Sequence, residues 1–353
     1  MPPNARWSPV YHDIDIVDPM EVDGWDESLT ACEGWTFFHT AAWARVLWAT
    51  YHYHPFYFVL RDNGRLLAAI PMMEVGGPLS GRRGVSLPFS DYCGPAVADG
   101  TDIGSMNEFI VGHGHRSGWR SIEYRGECFQ NVVAETSFYR HTLDLTPGVE
   151  PLFAVLKDST RRNIKKAMRE GVHVSICRSM EAVAEYYRLH CMTRKKHGLP
   201  PQPRAFFEKI YEHIISRDLG MVVLASHSGV NIAGDVFFGL AGKALYKYGA
   251  SDQTYQHLRP SDLVMWEGIK WYAQNGYRTL CLGRTEPANS GLRRFKTQWG
   301  AAEQIINYYR YDLRRNAFVT QASHVSNQCH RVFHAMPIPL LRMFGSLLYR
   351  YMG

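Results

Sequence analysis

The chain predicts an α/β (α+β) fold of two tandem units, each a mixed, mostly antiparallel sheet flanked by helices. Three observations carry that expectation. At 353 residues the chain exceeds what one hydrophobic core usually organises. Hydrophobic residues make up 46% and charged residues 20%, a globular composition, and aromatic residues (13%) run along the whole length, enough for a core in each half. Helix-like and strand-like patterns recur on both sides of a Pro147–Gly148 break.

After an irregular opening, apolar and aromatic residues at helical spacing predict a helix over 37–51. Two strands follow, 55–60 and 66–75, joined by the hairpin chemistry of Asp62, Asn63 and Gly64. Residues 76–94, rich in Gly, Pro and Ser, read as loop. A helix over 103–114 and strands near Ser121 and over 139–145 complete the first unit. The second opens with a single helix over 152–170, ended by Gly171, and a strand over 172–177. Helices over 181–197 and 204–217 are separated by Pro200, Pro201 and Pro203. Strands over 221–226, 232–240 and 244–250 precede a helix over 261–275, with Gly276 as its C-terminal stop. A strand over 279–282, a short helix over 290–297 and a strand over 304–311 close the unit. The expected units are 1–148, 149–315 and a basic amphipathic tail, 316–353. In the tail, Leu340, Leu341, Met343, Phe344, Leu347, Leu348 and Tyr351 share one helix side, with Arg342 and Arg350 flanking. Such a helix either lies on an anionic membrane surface or packs its apolar side on the protein.

The formal charge of +6 is moderate and lacks the clustered excess of a dedicated nucleic-acid binder. Seven dispersed cysteines with no C-x-x-C pair argue against a disulfide framework or a structural zinc site, and suit a reducing cytoplasm. The opening, through Asp13, Asp15, Asp18, Glu21 and Asp23, is acidic and unlike a leader, and no stretch has the apolar length of a membrane span. A cytoplasmic protein, in contact at most with the inner membrane face, is expected. Phosphate-loop, dinucleotide, zinc-protease and serine-nucleophile motifs are absent, and the sixteen histidines have no partners spaced for a metal site. No metal is expected.

What remains is basic and polar. Arg161, Arg162, Lys165, Lys166 and Arg169 stack at helical spacing, a geometry that can grip a diphosphate by charge-assisted hydrogen bonds. Three stretches then become specific together: KDSTRRNIKKAMREGVHV from Lys157, ALYKYGASDQTYQHLRPSDLVMWEGIKWYAQNGYRTL from Ala244, and LGRTEPANSGLRRFKTQWG from Leu282. They resemble FemAB-type proteins, the FemABX-related, double-GNAT-fold acyl- and aminoacyltransferases of cell-envelope and exopolysaccharide synthesis. FFHTAAWARV from Phe37, GRLLAAIPM and SLPFSDYCGP extend the likeness over roughly residues 37–312. The element order also matches a GNAT (acyl-CoA N-acyltransferase) domain, so the resemblance implies tandem GNAT-like units with the catalytic one at 149–315.

The resemblance implies that Arg162 and Lys166 contact substrate phosphate, and that Tyr246 and Tyr248 line the acceptor site. Lys296 would stabilise negative charge developing on the attacked carbonyl, as acyl transfer to an amine requires. Asp235, in an otherwise apolar strand, is the first candidate to take the amine's proton, or else faces solvent or pairs with an arginine. Asp262 and Glu267 are further carboxylates with the same choice of roles. Arg284 either structures its loop or binds an anion. Two departures bear on the donor. The loop YQHLRPSDL has no glycine where acyl-CoA enzymes hold pyrophosphate at a helix N-terminus, and Arg45, Val46 and Leu47 follow Trp43 where FemABX enzymes keep a phosphate-binding lysine. Cys281 also stands where relatives carry an acid. The leading expectation is N-acyl transfer from an acyl thioester such as acyl-CoA to an amino-sugar or peptide-bearing envelope or exopolysaccharide precursor. The alternatives are aminoacyl-tRNA-dependent transfer to a peptidoglycan precursor, and a non-catalytic accessory role. The lack of a spare helical hairpin between Leu156 and Leu219 to grip tRNA favours the first.

Overall fold

The computed structural model describes residues 14–77, 81–129, 131–320 and 328–353. Asp13 of the acidic opening and the Arg331 side chain of the expected tail lie outside the described residues. The first half runs β1 (Ile14–Val17), α1 (Trp25–Thr30), α2 (Ala41–Tyr51), β2 (Pro55–Asp62), β3 (Arg65–Gly77), β4 (Gly81–Val85), β5 (Ala96–Val97), α3 (Gly104–Arg116), β6 (Ser121–Arg125) and β7 (Thr136–Asp144). The second runs α4 (Val149–Ala154), α5 (Asp158–Arg169), β8 (His173–Cys177), α6 (Met180–Lys196), α7 (Arg204–His213), β9 (Gly220–His227), β10 (Val230–Leu240) and β11 (Lys243–Ser251). It continues through α8 (Pro260–Gln274), β12 (Thr279–Thr285), α9 (Ser290–Thr297), β13 (Ala302–Asp312) and β14 (Ala317–Val319) to α10 (Gln328–Ala335) and α11 (Ile338–Leu348).

Local chemistry sets most boundaries. Thr40 starts α2 by accepting a hydrogen bond from Trp43 N on its side chain. Asn63 and Gly64, both at positive φ, make the tight turn of the β2–β3 hairpin. Three expectations needed correction. The stretch read as loop contains β4, which pairs with β3 and β6. Its Gly84 is required because the Trp119 ring lies where a Cβ would stand, 2.1 Å from the nearest ring carbon. The helix expected over 152–170 is two helices. Arg161 closes the break, donating to Ala154 O at 2.8 Å and to the Asp158 carboxylate, so one cation of the basic row is used locally. The tail likewise forms two helices, interrupted before Pro337.

All the strands among the described residues join one mixed sheet, ordered β1-β2-β3-β4-β6-β13-β7-β12-β11-β10-β9-β8, with β5 and β14 attached to β3 and β13. The halves interlock. β13 lies between β6 and β7, and β7 pairs on its other side with β12. One apolar cluster is also common to both halves: Trp43 of α2 meets Phe206 of α7 at 6.0 Å, and Phe37 meets Phe238 of β10 at 5.0 Å. A second core packs α5 and α8 on the opposite side of the second half, through Ile164, Ala167, Val264 and Ile269. A third packs α3 on the first half through Met106 and Ile110.

Candidate active site

β11 and β12 run parallel, but their ladder is confined to Lys243–Leu245 and Thr279–Cys281. Beyond it lies a cleft of about 320 Å³, bounded by α6, α9, both strands and the first-half loop that carries Asp91. An adjoining hollow of about 330 Å³ reaches the start of α8 and shares Thr193, His197, Tyr246 and Gly249 with the cleft.

Lys296, on α9, lines the cleft although only 3% of it is exposed. Its Nζ donates to Arg284 O at 2.7 Å. Burial lowers the pKa to about 8, against the nearby Asp91 charge, which raises it. Among the described residues it makes no ion pair of its own, so the ammonium keeps donors for a ligand. Gly283 permits the crowding here. It sits at φ 72°, and a Cβ there would stand 3.2 Å from the Asp91 carboxylate and 3.7 Å from Lys296 Nζ.

Asp235, on β10, opens on the adjoining hollow. It is 5% exposed, and burial pushes its carboxyl well above the usual carboxylate range. Across the ladder is Gly249, whose missing side chain leaves room for two groups. A Cβ there would lie 2.0 Å from the Tyr246 hydroxyl and 2.9 Å from Asp235 Oδ1.

Tyr246 and Tyr248 both line the cleft, but not from one face of the strand. A bulge gives Lys247 no opposite number on β10. Tyr246 therefore packs on Phe237 at 5.5 Å, in the α8-side core, while Tyr248 packs on Phe207 at 5.6 Å, beside α6 and α7. Arg284 also reaches the cleft, its guanidinium 4.3 Å from the Phe138 ring centre and 5.2 Å from that of Tyr308. Arg162 and Lys166 lie on α5, outside the residues that line the two hollows. Between them Asn163 donates to Asp262, on the first turn of α8, at 3.2 Å. Gln298 donates to the same carboxylate at 3.4 Å. Glu267 pairs with Lys270 one turn along α8.

Sequence reasoning missed Asp91 and Lys247. The Lys247 ammonium, almost fully buried, donates to Phe89 O at 2.8 Å and to Asp91 at 3.0 Å. It also lies over the rings of Phe38, Trp43 and Tyr248. This pair fastens a first-half loop to the second half's central strand and completes the cleft wall. The signal was present in SLPFSDYCGP, whose one acid is Asp91, and in the lysine between the two tyrosines. Arg194 and His190 of α6 line the cleft as well. Among the described residues no three His, Cys, Asp or Glu side chains are grouped to hold a metal ion.

Residues 156–297 match the acetyltransferase (GNAT) domain. The lipid II:glycine glycyltransferase of Staphylococcus haemolyticus (strain JCSC1435) is 29% identical over 99 residues, 26% of this chain and 24% of that one. The match thus spans about a quarter of that relative's length. The crystal structure of FemX superposes with a TM-score of 0.66 at 13% identity, covering 82% of this chain and 95% of the other. A tandem GNAT protein from the clavulanic acid biosynthesis pathway gives 0.51 at 9% identity, covering 85% and 98%. The chain thus carries a match to the GNAT domain over residues 156–297, and its overall fold is similar to those of FemX and of a tandem GNAT protein.

Proposed function

We propose that the protein transfers an aminoacyl group to an amino group of a peptidoglycan-type precursor, with residues 149–315 as the catalytic unit, 1–148 completing the cleft and 316–353 as a tail. The observation that carries this reading is the buried Lys296 ammonium, without an ion pair among the described residues, at the wall of a cleft built by both halves. The acceptor amine attacks the donor carbonyl and a C–N bond forms. Negative charge then builds on oxygen, where a cation held in a water-poor site is worth most. Collapse of that intermediate breaks the bond to the leaving oxygen. Asp235, whose proton affinity burial raises, takes the amine proton from its ionised form and returns it to the leaving group. Tyr246, Tyr248 and Arg284 line the acceptor's path, and Arg162 and Lys166 meet donor or acceptor phosphate.

The donor is read from the start of α8. Pro260 there lacks an N–H, and the Asp262 carboxylate already occupies the first turn between Asn163 and Gln298. A pyrophosphate would meet that carboxylate where an acyl-CoA enzyme offers bare amides. The likeness to a glycyltransferase supports the same choice. α6 and α7 belong to the packed core and leave no hairpin for tRNA, so the exposed cations of α5 are the candidate contact. The thioester reading, with an amino sugar of an exopolysaccharide as acceptor, retains one support: the hollow beside Ser261 at the same helix end.

The test supplies labelled aminoacyl-tRNA, or labelled acyl-CoA, with an amine-bearing stem-peptide precursor. Wild-type protein is expected to transfer label from the tRNA, and Lys296→Met to lose about 10²–10³-fold in kcat. Transfer from acyl-CoA alone would restore the thioester reading. Undiminished turnover by a folded Lys296→Met protein would remove the assignment of Lys296.

A further inference from the structure

α11 is held on one face and bare on the other. Leu341, Gly345 and Tyr349, spaced four apart, are buried. A Cβ on Gly345 would stand 2.0 Å from Pro201 O, so the helix backbone lies directly on the loop between α6 and α7. Tyr349 takes a hydrogen bond from Arg194 at 2.8 Å, and Tyr53 donates to Tyr349 O and Arg350 O. These contacts fix the helix rotation. They leave Leu340, Met343 and Leu347 facing outward, 46%, 51% and 60% exposed, with Tyr351 and Met352 beyond them.

Arginines flank this stripe on α11 itself and just after it. No Asp or Glu occurs from Leu313 to Gly353, while Arg342 and Arg350 flank the exposed face. Between α6 and α11 runs a groove of about 440 Å³, lined by Tyr187, Met192 and Ile338 and by Arg342, with Arg188 and Arg204 at its edge ion-paired to Glu185 and Glu208. Apolar surface edged by guanidinium groups complements a layer of anionic headgroups over acyl chains. A second copy of the chain fits less well, because two-fold contact through α11 would set Arg342 and Arg350 against their own copies, and α11 carries no acid to pair with them.

We propose that the exposed face of α11 docks the protein on an anionic phospholipid surface, with Leu340, Met343 and Leu347 entering the headgroup boundary. α6 contributes to both the groove and the cleft. The bilayer would therefore lie within about two helix diameters, ~20 Å, of the site, on the side from which α6 lines the cleft. The docking itself rests on no assignment of the reaction, since its readout is binding.

The experiment sediments the full-length protein with vesicles of phosphatidylcholine alone and of phosphatidylcholine mixed with phosphatidylglycerol. Wild type is expected to co-sediment with the mixed vesicles, to weaken as salt rises, and to remain in solution with phosphatidylcholine. Met343→Glu/Leu347→Glu, which alters two exposed positions and should leave the melting temperature unchanged, is expected to bind roughly tenfold or more weakly. Arg350→Glu provides a second variant with the same direction of change. Wild-type protein that stays in solution with the anionic vesicles overturns the proposal, as does equal sedimentation of the double variant. A wild-type dimer that the double variant converts to a monomer, without vesicle binding, overturns it in favour of self-association.

Discussion

At Lys296 the loss of water favours the neutral amine, and the pKa falls to about 8 even with Asp91 opposing the shift. At Asp235 the same cause favours the neutral acid and moves the pKa upward. The signs matter for rate. A lysine with a pKa of about 8 is mostly charged at neutral pH and loses its charge as pH rises through that value. If the ammonium meets the oxyanion, kcat should decline on an alkaline limb centred near 8. Lys296→Arg, whose guanidinium stays charged, should lower kcat but move that limb to higher pH. A limb unmoved in the arginine variant would assign it to another group. Of the candidate residues, Lys296, Asp235, Tyr246, Tyr248 and Arg284 converge on the two joined hollows, whereas Arg162 and Lys166 sit on a neighbouring helix. Residue type and the family resemblance single out both groups, and only the first lines the hollows. The bulge at Lys247 and the Asp91 contact depend on partners far away in the chain, which local patterns do not encode.

Among the elements, those with a clear period or stop signal were legible. α9 fell on its expected bounds, and α8 ended before Gly276, which has the positive φ of a helix stop. β4 was not legible because its glycines resemble turn chemistry, while the ring that demands Gly84 comes from Trp119. That explanation makes a measurable claim. Gly84→Ala should drive the Trp119 ring from its place and strain its hydrogen bond to Glu74, present at 2.7 Å. The expected cost is about 1–3 kcal/mol in a denaturant melt, as for overpacking in a closed core. An unchanged midpoint would mean that the ring has somewhere else to go. The break between α4 and α5 was hidden for a similar reason. Arg161 looked like one more cation in a row, and only its bond to Ala154 O shows it closing a helix end.

For the whole molecule, the tandem plan was legible from element order, but the exchange of strands was not. Strand order here depends on pairings between residues far apart in the chain, β7 with β12 and β13 and β6 with β13, which local patterns do not encode. Residues 149–315 expressed alone would lack β7, leaving edges of β12 and β13 unpaired, and would uncover Phe206 and Phe238. That fragment is expected in the insoluble fraction, and a cooperative thermal transition from a soluble form would contradict the shared core.

The position of β13 also governs how the protein can be made. A ribosome releases β6 and β7 well before the strand that lies between them. At ordinary rates of synthesis the delay is on the order of ten seconds, during which nascent β7 has neither of its neighbours. The growing polypeptide therefore leaves the partners of β7 unmade until its later strands emerge, so the central pairings of the sheet close only near the end of synthesis.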